Sequence, residues 1–297
     1  MTGIICINKK KDITSFGTVA KVRGILGEKK AGHTGTLDPM AQGVLPVMLG
    51  GATKFLDFLP ESDKSYRASF ILGKTTDTLD ITGEVLTECE VNATEDDVRK
   101  TLSDFVGVQL QLPPMFSAKS VDGVRLYDLA RQGIEVERKP CEIEIKSLEL
   151  VGVENSEYVI DVLCSKGTYI RSLIDDIGKK LGCGAVMTAL TRTGAMGFTL
   201  EDCVTLDELQ KRKDSNKGFD DLIMSVEDVF CDYKKLSVTS AQATRFSNGG
   251  ALDVNRIKKL PEGENPVCVY SPDGMFLGLG KVSGEELKVL RLLSKRD

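Results

Sequence analysis

Residues 31–54 constrain this chain more than any other stretch. They are rich in glycine, contain Pro39 and Pro46, and show no sustained hydrophobic period, so no single helix or strand can run through them. They read as a structured loop followed by a short buried segment around residues 44–49. A loop this long inside a compact domain is usually functional. At its centre lies Gly32-His33-Thr34-Gly35-Thr36-Leu37-Asp38-Pro39-Met40-Ala41-Gln42-Gly43-Val44-Leu45-Pro46. Pro39 biases Asp38 away from the helical region, and the flanking glycines let the backbone pass close to a ligand. A carboxylate is thereby held on a shaped loop, although on residue types alone an inert Asp-Pro turn is the more economical reading.

The flanking pattern is mixed. Phe16, Val19, Val22, Ile25 and Leu26 recur at helical spacing behind the cap candidates Thr14 and Ser15, with Gly27 as a stop. Residues 66–72 and 143–145 alternate as strands do, and a third strand over residues 158–164 runs into Ser165-Lys166-Gly167-Thr168. Ile170, Leu173, Ile174, Ile177 and Leu181 then mark one face of a helix that Gly182 ends. Without regular strand–helix alternation, the class is α+β. The polar stretch 211–218 reads as a linker. After Asp232 short apolar runs are broken by Asn248-Gly249-Gly250, Pro261, Gly263, Pro266 and Ser271-Pro272-Asp273-Gly274, which indicates small β structure. Two domains are expected, 1–232 and 233–297.

The net charge of -5 looks wrong for a nucleic-acid binder, but it conceals segregation. Residues 1–60 are net +4 and residues 77–110 net -7, so a basic face can coexist with an acidic back. Eight cysteines are scattered with no C-x-x-C pair, and His33 is the only histidine to join them, which makes a zinc site improbable. No apolar run approaches the roughly 20 residues that span a bilayer. The apolar residues 4–7 precede lysines, the reverse of secretory order, so a cytoplasmic protein with reduced thiols is expected.

The full string from Gly32 to Pro46 shifts the balance at Asp38. It resembles the signature of the TruB-type tRNA pseudouridine synthases, G-H-T-G-T-L-D-P followed by G-V-L-P. The resemblance continues in order with Lys64-Ser65-Tyr66-Arg67-Ala68, Pro113-Pro114-Met115-Phe116-Ser117-Ala118-Lys119, Gly123-Val124-Arg125-Leu126-Tyr127, Lys166-Gly167-Thr168-Tyr169-Ile170-Arg171-Ser172-Leu173 and Leu190-Thr191-Arg192-Thr193. These blocks cover most of residues 4–200. The resemblance implies a pseudouridine synthase catalytic fold, with a mixed, largely antiparallel sheet and flanking helices, plus a small β-rich C-terminal RNA-binding domain of the PUA type. It implies isomerisation of uridine 55 in the tRNA T-loop, with the base flipped out and no cofactor or metal.

Carried over residue by residue, Asp38 is the catalytic aspartate. Arg171 is the arginine expected to pair with it and to hold its carboxyl below the usual range. Tyr66 is the tyrosine that stacks on the target uracil and helps remove the C5 proton. His33 is expected to touch the RNA where the base flips out, Tyr169 and Leu190 to line the pocket, and Lys9, Lys54 and Lys64 to contact RNA. Lys10, Lys11, Lys29, Lys30, Arg125 and Arg131 are further phosphate candidates, although any single lysine or arginine is by default a solvated charge. One departure stands out. The family's Lys-Pro-x-Gly-x-Thr-Ser is here Lys9-Lys10-Lys11-Asp12-Ile13-Thr14-Ser15, which removes a fixed φ and a permissive turn.

The partner expected is the T-arm of tRNA, with no guide RNA, membrane or obligate protein partner, and a monomer. Guide-dependent relatives fit less well because the chain lacks a long basic tail. A non-catalytic tRNA-folding helper is the rival from another class. A generic nucleotide-binding protein is not supported, since neither G-x-G-x-x-G after a strand nor G-x-x-x-x-G-K-[ST] occurs.

Overall fold

The computed structural model describes residues 1–261 and 266–293. Strand β1 (Gly3–Lys9) is buried almost throughout. Asp12 then takes a left-handed conformation (φ 62°), and the Thr14 hydroxyl caps α1 (Ser15–Leu26) by accepting from the Gly17 N–H at 2.9 Å. Gly27, at φ 67°, ends the helix and donates back to the Arg23 carbonyl. Val19, Val22 and Leu26 face inward as their spacing predicts, but Phe16 is 72% exposed. Ser15 occupies the inward position instead, because its hydroxyl is bonded to the loop described below.

The glycine-rich loop runs between β2 (Ala31–His33) and β3 (Gln42–Leu49), and β3 is the buried segment expected there. A short 3₁₀ stretch leads to β4 (Lys64–Leu72), on which Tyr66, Ala68, Phe70 and Leu72 alternate inward. There follow β5 (Lys74–Thr76), β6 (Val85–Glu88), α2 (Glu95–Ser103), β7 (Gly107–Gln111), the hairpin β8 (Ser120–Val121) and β9 (Val124–Arg125), and α3 (Leu126–Ala130). Next come β10 (Cys141–Glu154), β11 (Glu157–Cys164), α4 (Ile170–Lys180), β12 (Ala185–Ala195), β13 (Phe198–Thr199), α5 (Leu206–Asp214) and β14 (Ile223–Met224). The front of the stretch read as a linker is therefore the last turn of α5, where Lys211, Arg212 and Lys213 complement the helix dipole.

The large sheet has ten strands, with the path β14-β1-β3-β12-β4-β11-β10-β7 and with β2 and β13 paired to β3 and β12. Every pairing is antiparallel except β3 with β12. That parallel junction puts Gly43 (φ 106°) against Arg192, where an added Cβ would lie 2.2 Å from the Arg192 carbonyl oxygen, so only glycine fits. One core packs α4 (Ile170, Leu173, Ile174, Ile177) on the central strands, and another packs α1 and α5 on β1 and β3.

Beyond residue 232 a second sheet of five strands contains β15 (Lys235–Ser237), β16 (Leu252–Asp253), β17 (Val267–Tyr270), β18 (Phe276–Ser283) and β19 (Glu286–Leu292), with α6 (Ser240–Ser247) beside it. The turn at Ser271 is the expected one, with the Gly274 N–H donating to the Ser271 carbonyl at 3.0 Å; Gly263 lies outside the described residues. Cys268, Tyr270, Phe276 and Leu279 of this sheet pack with Phe230 and with Ile4, Cys6, Val44 and Met48 of β1 and β3. The two sheets thus share an apolar core.

Candidate active site

The loop that carries Asp38 is held by its main chain. Ser15 Oγ donates to the Leu37 carbonyl (2.9 Å) and accepts from the Leu37 N–H (2.8 Å). Lys9 Nζ donates to the carbonyls of Ala41 (2.6 Å), Pro39 (3.2 Å) and Lys10 (2.9 Å). Arg192 donates from Nε to the Val44 carbonyl (2.7 Å) and from its terminal nitrogens to Gly35 (3.2 Å) and Thr36 (3.5 Å). The Asp12 N–H adds a bond to the Pro39 carbonyl (2.8 Å), and the Ala41 N–H closes a turn onto Asp38 (3.1 Å). A glycine-rich segment with no ladder of its own is ordered because its carbonyls are satisfied one by one from β1, α1 and β12.

Asp38 then meets Arg171, whose Nε lies 2.9 Å from Oδ2. Arg171 is on the first turn of α4 and is buried. Its terminal nitrogens donate to the carbonyls of Thr78 (2.9 Å) and Phe116 (2.8 Å), and one lies 3.8 Å from Asp80. Four residues from three segments of the chain therefore fix the direction of one guanidinium. The Asp38 side chain keeps 32% of its surface open, toward a cleft of about 400 Å³ whose walls include Tyr66, Lys64, Lys119, Tyr169, Arg171 and Leu190. That volume lies in the range of small-ligand sites.

The electrostatics differ from the expectation at one point. Burial pushes the Asp38 carboxyl above its ordinary range, and Asp80 adds to this; Arg171 and Lys9 draw it down but do not offset the desolvation. Burial also raises the Tyr66 phenol, against the nearby charge of Arg192.

Tyr66, Tyr169, Leu190, Lys64 and Arg171 all join Asp38 in the cleft wall. Lys64 also borders a neighbouring groove, and burial, then Arg192, push its ammonium pKa down. Lys9 does not serve as a surface contact. It is wholly buried beneath residues 39–41, so the phosphate role expected of it gives way to that of a loop tether. His33 sits in the β2–β3 pairing opposite Val47, outside the cleft lining. Burial and then Arg192 lower its pKa, so the ring is neutral at pH 7, and its Nδ1 is buried with no protein partner among the described residues. Lys54 lies half-buried on the 3₁₀ stretch, away from the cleft. Lys10 is engaged in an ion pair with Asp207, and Arg131 stacks on Tyr127 at 4.5 Å.

Three contributors had not been singled out: Ser15 as a loop clamp, Asp80 beside Arg171, and Arg192. Arg192 is 1% exposed, and among the described residues no carboxylate lies within ion-pair distance of it. Its uncompensated charge reaches Lys9, His33, Lys64 and Tyr66. Among the described residues no cluster of His, Cys, Asp or Glu is arranged to hold a metal ion.

Comparison with known proteins follows the same outline. Residues 23–170 match the model of the N-terminal domain of TruB family pseudouridylate synthases, and residues 171–230 match that of the tRNA pseudouridylate synthase B C-terminal domain. The chain is 44% identical over 296 residues to tRNA pseudouridine synthase B of Clostridium perfringens, covering 99% of both chains. It is 41% identical over 305 residues to the protein of that name from Alkaliphilus oremlandii, covering 100% of both. Among solved structures it resembles a chain of a Cbf5-Nop10-Gar1 complex (TM-score 0.75, 27% identity, 100% of this chain and 86% of that one). It also resembles a chain of an H/ACA RNP bound to a substrate RNA containing 2′-deoxyuridine (TM-score 0.73, 25% identity, the same coverage).

Proposed function

Because the chain belongs to the TruB family of pseudouridylate synthases, we propose that it isomerises uridine 55 of the tRNA T-loop to pseudouridine, acting alone, with the target base flipped out of its stack. The observation that carries this reading is the Asp38–Arg171 pair at 2.9 Å, opening into a cleft walled by Tyr66, Tyr169 and Leu190. In this reaction the N1–C1′ bond breaks, the uracil turns, a C5–C1′ bond forms, and the C5 proton is exchanged for one on N1. Cleavage builds positive character at C1′. The ionised Asp38 stabilises it, captures it covalently, or relieves it by accepting the 2′ proton. Atoms and electrons balance within the nucleotide, so the reaction asks for no cofactor.

Tyr66 stacks on the uracil and helps remove the C5 proton, its neutral hydroxyl passing on its own proton as it takes up that one, while Tyr169 and Leu190 pack on the base. Extruding the base costs a few kcal/mol, which phosphate contacts offset. Lys64 and Lys119, on the cleft wall, supply positive charge at its mouth. His33, partly exposed on β2 at the start of the Asp38 loop, meets the RNA through its open edge. The five-stranded sheet after residue 232 acts as the PUA-like RNA-binding part. The guide-free reading is favoured by the higher identity to the tRNA enzymes (41–44%) than to the chain of the Cbf5-Nop10-Gar1 complex (27%). Action in the cytoplasm belongs to this reading.

The test is conversion of a T-arm stem-loop by the purified protein, with Asp38→Asn alongside. Wild type should form pseudouridine, and the variant should bind the RNA without converting it. Equal conversion by both would remove Asp38 from the chemistry, and tight binding with no conversion by either would favour the folding-helper role.

A further inference from the structure

Away from the cleft, two thiols lie in contact. Cys6, in the middle of β1, and Cys203, just ahead of α5, are 197 residues apart in sequence, yet their sulfurs lie 3.1 Å apart. Cys203 directs its own hydrogen to the Thr199 carbonyl at 3.2 Å. The Cys6 hydrogen is therefore the one that lies between the two sulfurs. This contact, then burial, push the Cys6 thiol far above the ordinary cysteine range. The backbone around the pair is fixed: the Val204 N–H donates to the Cys6 carbonyl and the Asn8 N–H to the Val204 carbonyl, both at 3.0 Å.

A second observation concerns access. Cys6 is 2% exposed, whereas Cys203 is partly open and lines a pocket of about 350 Å³ bordered by Glu208, Lys211, Arg212 and Leu222. Cys203 packs on the core that contains Cys6 and keeps part of its surface open. Thiol–disulfide exchange needs an accessible sulfur to be attacked or to attack, a second sulfur in reach, and room for the leaving group.

We propose that Cys6 and Cys203 form a redox modification site, in which a low-molecular-weight disulfide reaching the partly exposed Cys203 converts the pair to an intramolecular disulfide. The Cys203 thiolate attacks one sulfur of the small disulfide and releases one small thiol, leaving a mixed disulfide on Cys203. Cys6 then attacks Cys203 Sγ and expels the second small thiol, which leaves with the Cys6 proton. Two protein thiols are oxidised to one disulfide, and one small disulfide is reduced to two thiols. The sulfurs must close from 3.1 Å to the roughly 2.05 Å of a disulfide, a shift of about 1 Å. In a reducing compartment such a bond is transient, as a redox-responsive one must be. The crosslink closes a very long loop, so its effect falls on stability. Neither cysteine lines the catalytic cleft.

The experiment uses the full chain with the exposed thiols removed (Cys89→Ser and Cys231→Ser), treated while folded with oxidised glutathione, quenched by alkylation and mapped as peptides without reduction. The expected product joins the Cys6 and Cys203 peptides with the loss of two hydrogens. It raises the Tm by several degrees, and dithiothreitol reverses both changes. Adding Cys6→Ser should leave a persistent glutathione adduct on Cys203, and adding Cys203→Ser should leave Cys6 unmodified. A stable adduct on Cys203 with Cys6 still free, or a native protein in which neither thiol reacts, overturns the proposal.

Discussion

Replacing Lys9 with methionine tests the account of the catalytic loop. The Lys9 ammonium is inaccessible to solvent, and its pKa is pushed down from 10.5 to about 8, by burial first and by Arg192 second, against the pull of Asp38 and Asp12. In the unfolded chain it titrates near 10.5. Between those two values the unfolded chain keeps a proton that the folded chain has lost, so stability rises with pH across this window. Below about pH 8 both states are charged and Lys9 costs the fold its full desolvation; above 10.5 both are neutral and the cost is gone. At about 1.4 kcal/mol per pH unit, the gain is at most about 3 kcal/mol. Urea unfolding of wild type and Lys9→Met at several pH values from 7 to 10.5 isolates this group, because other titrations cancel in the difference. The wild-type advantage should grow by up to about 3 kcal/mol as pH rises. Methionine also leaves the Ala41 and Lys10 carbonyls without their Lys9 donor, so the loop should shift and kcat should fall about 10- to 100-fold at pH 7. Parallel stability curves for the two proteins, or an unchanged kcat, would refute the tether.

Arg171→Lys keeps the charge but gives up the fork that holds Asp38, Thr78 and Phe116 together; kcat in the stem-loop assay should fall about 100-fold or more, with a smaller change in KM. Since burial raises the Asp38 carboxyl above its ordinary value of 3.8 and the proposed chemistry needs it ionised, kcat should decline as pH falls through that raised pKa. An acid limb at or below 3.8 in a pH–rate profile would contradict this. Asp12→Gly relieves a left-handed residue at φ 62° and should stabilise the protein by about 0.5–1 kcal/mol in urea, slightly less than glycine's backbone freedom alone suggests because Asp12 also supports the Lys9 charge.

Asp38, Tyr66 and Arg171 could be named from the sequence because each sits in a local string whose spacing and residue types carry the resemblance, and the structure brings all three to one cleft. The period-2 and period-3.6 faces of β4 and α4 were legible for the same local reason. What could not be read was any bond whose partner is a main-chain carbonyl. Lys9 looked like a surface cation because it heads a run of three lysines, yet β1 enters the sheet so that Lys9 ends beneath residues 39–41. Its neighbour Lys10 pairs with Asp207. Phe16 and Ser15 exchanged places for a related reason: the hydroxyl of Ser15 bonds both backbone groups of Leu37, and that outweighed the apolar preference of the next residue. Arg192 is the extreme case. A buried guanidinium is usually betrayed by a carboxylate of matching spacing, but here Val44, Gly35 and Thr36 satisfy it through their carbonyls. Its positive charge therefore stays uncompensated near Tyr66 and under the loop of Asp38, beside a cleft proposed to receive a polyanion.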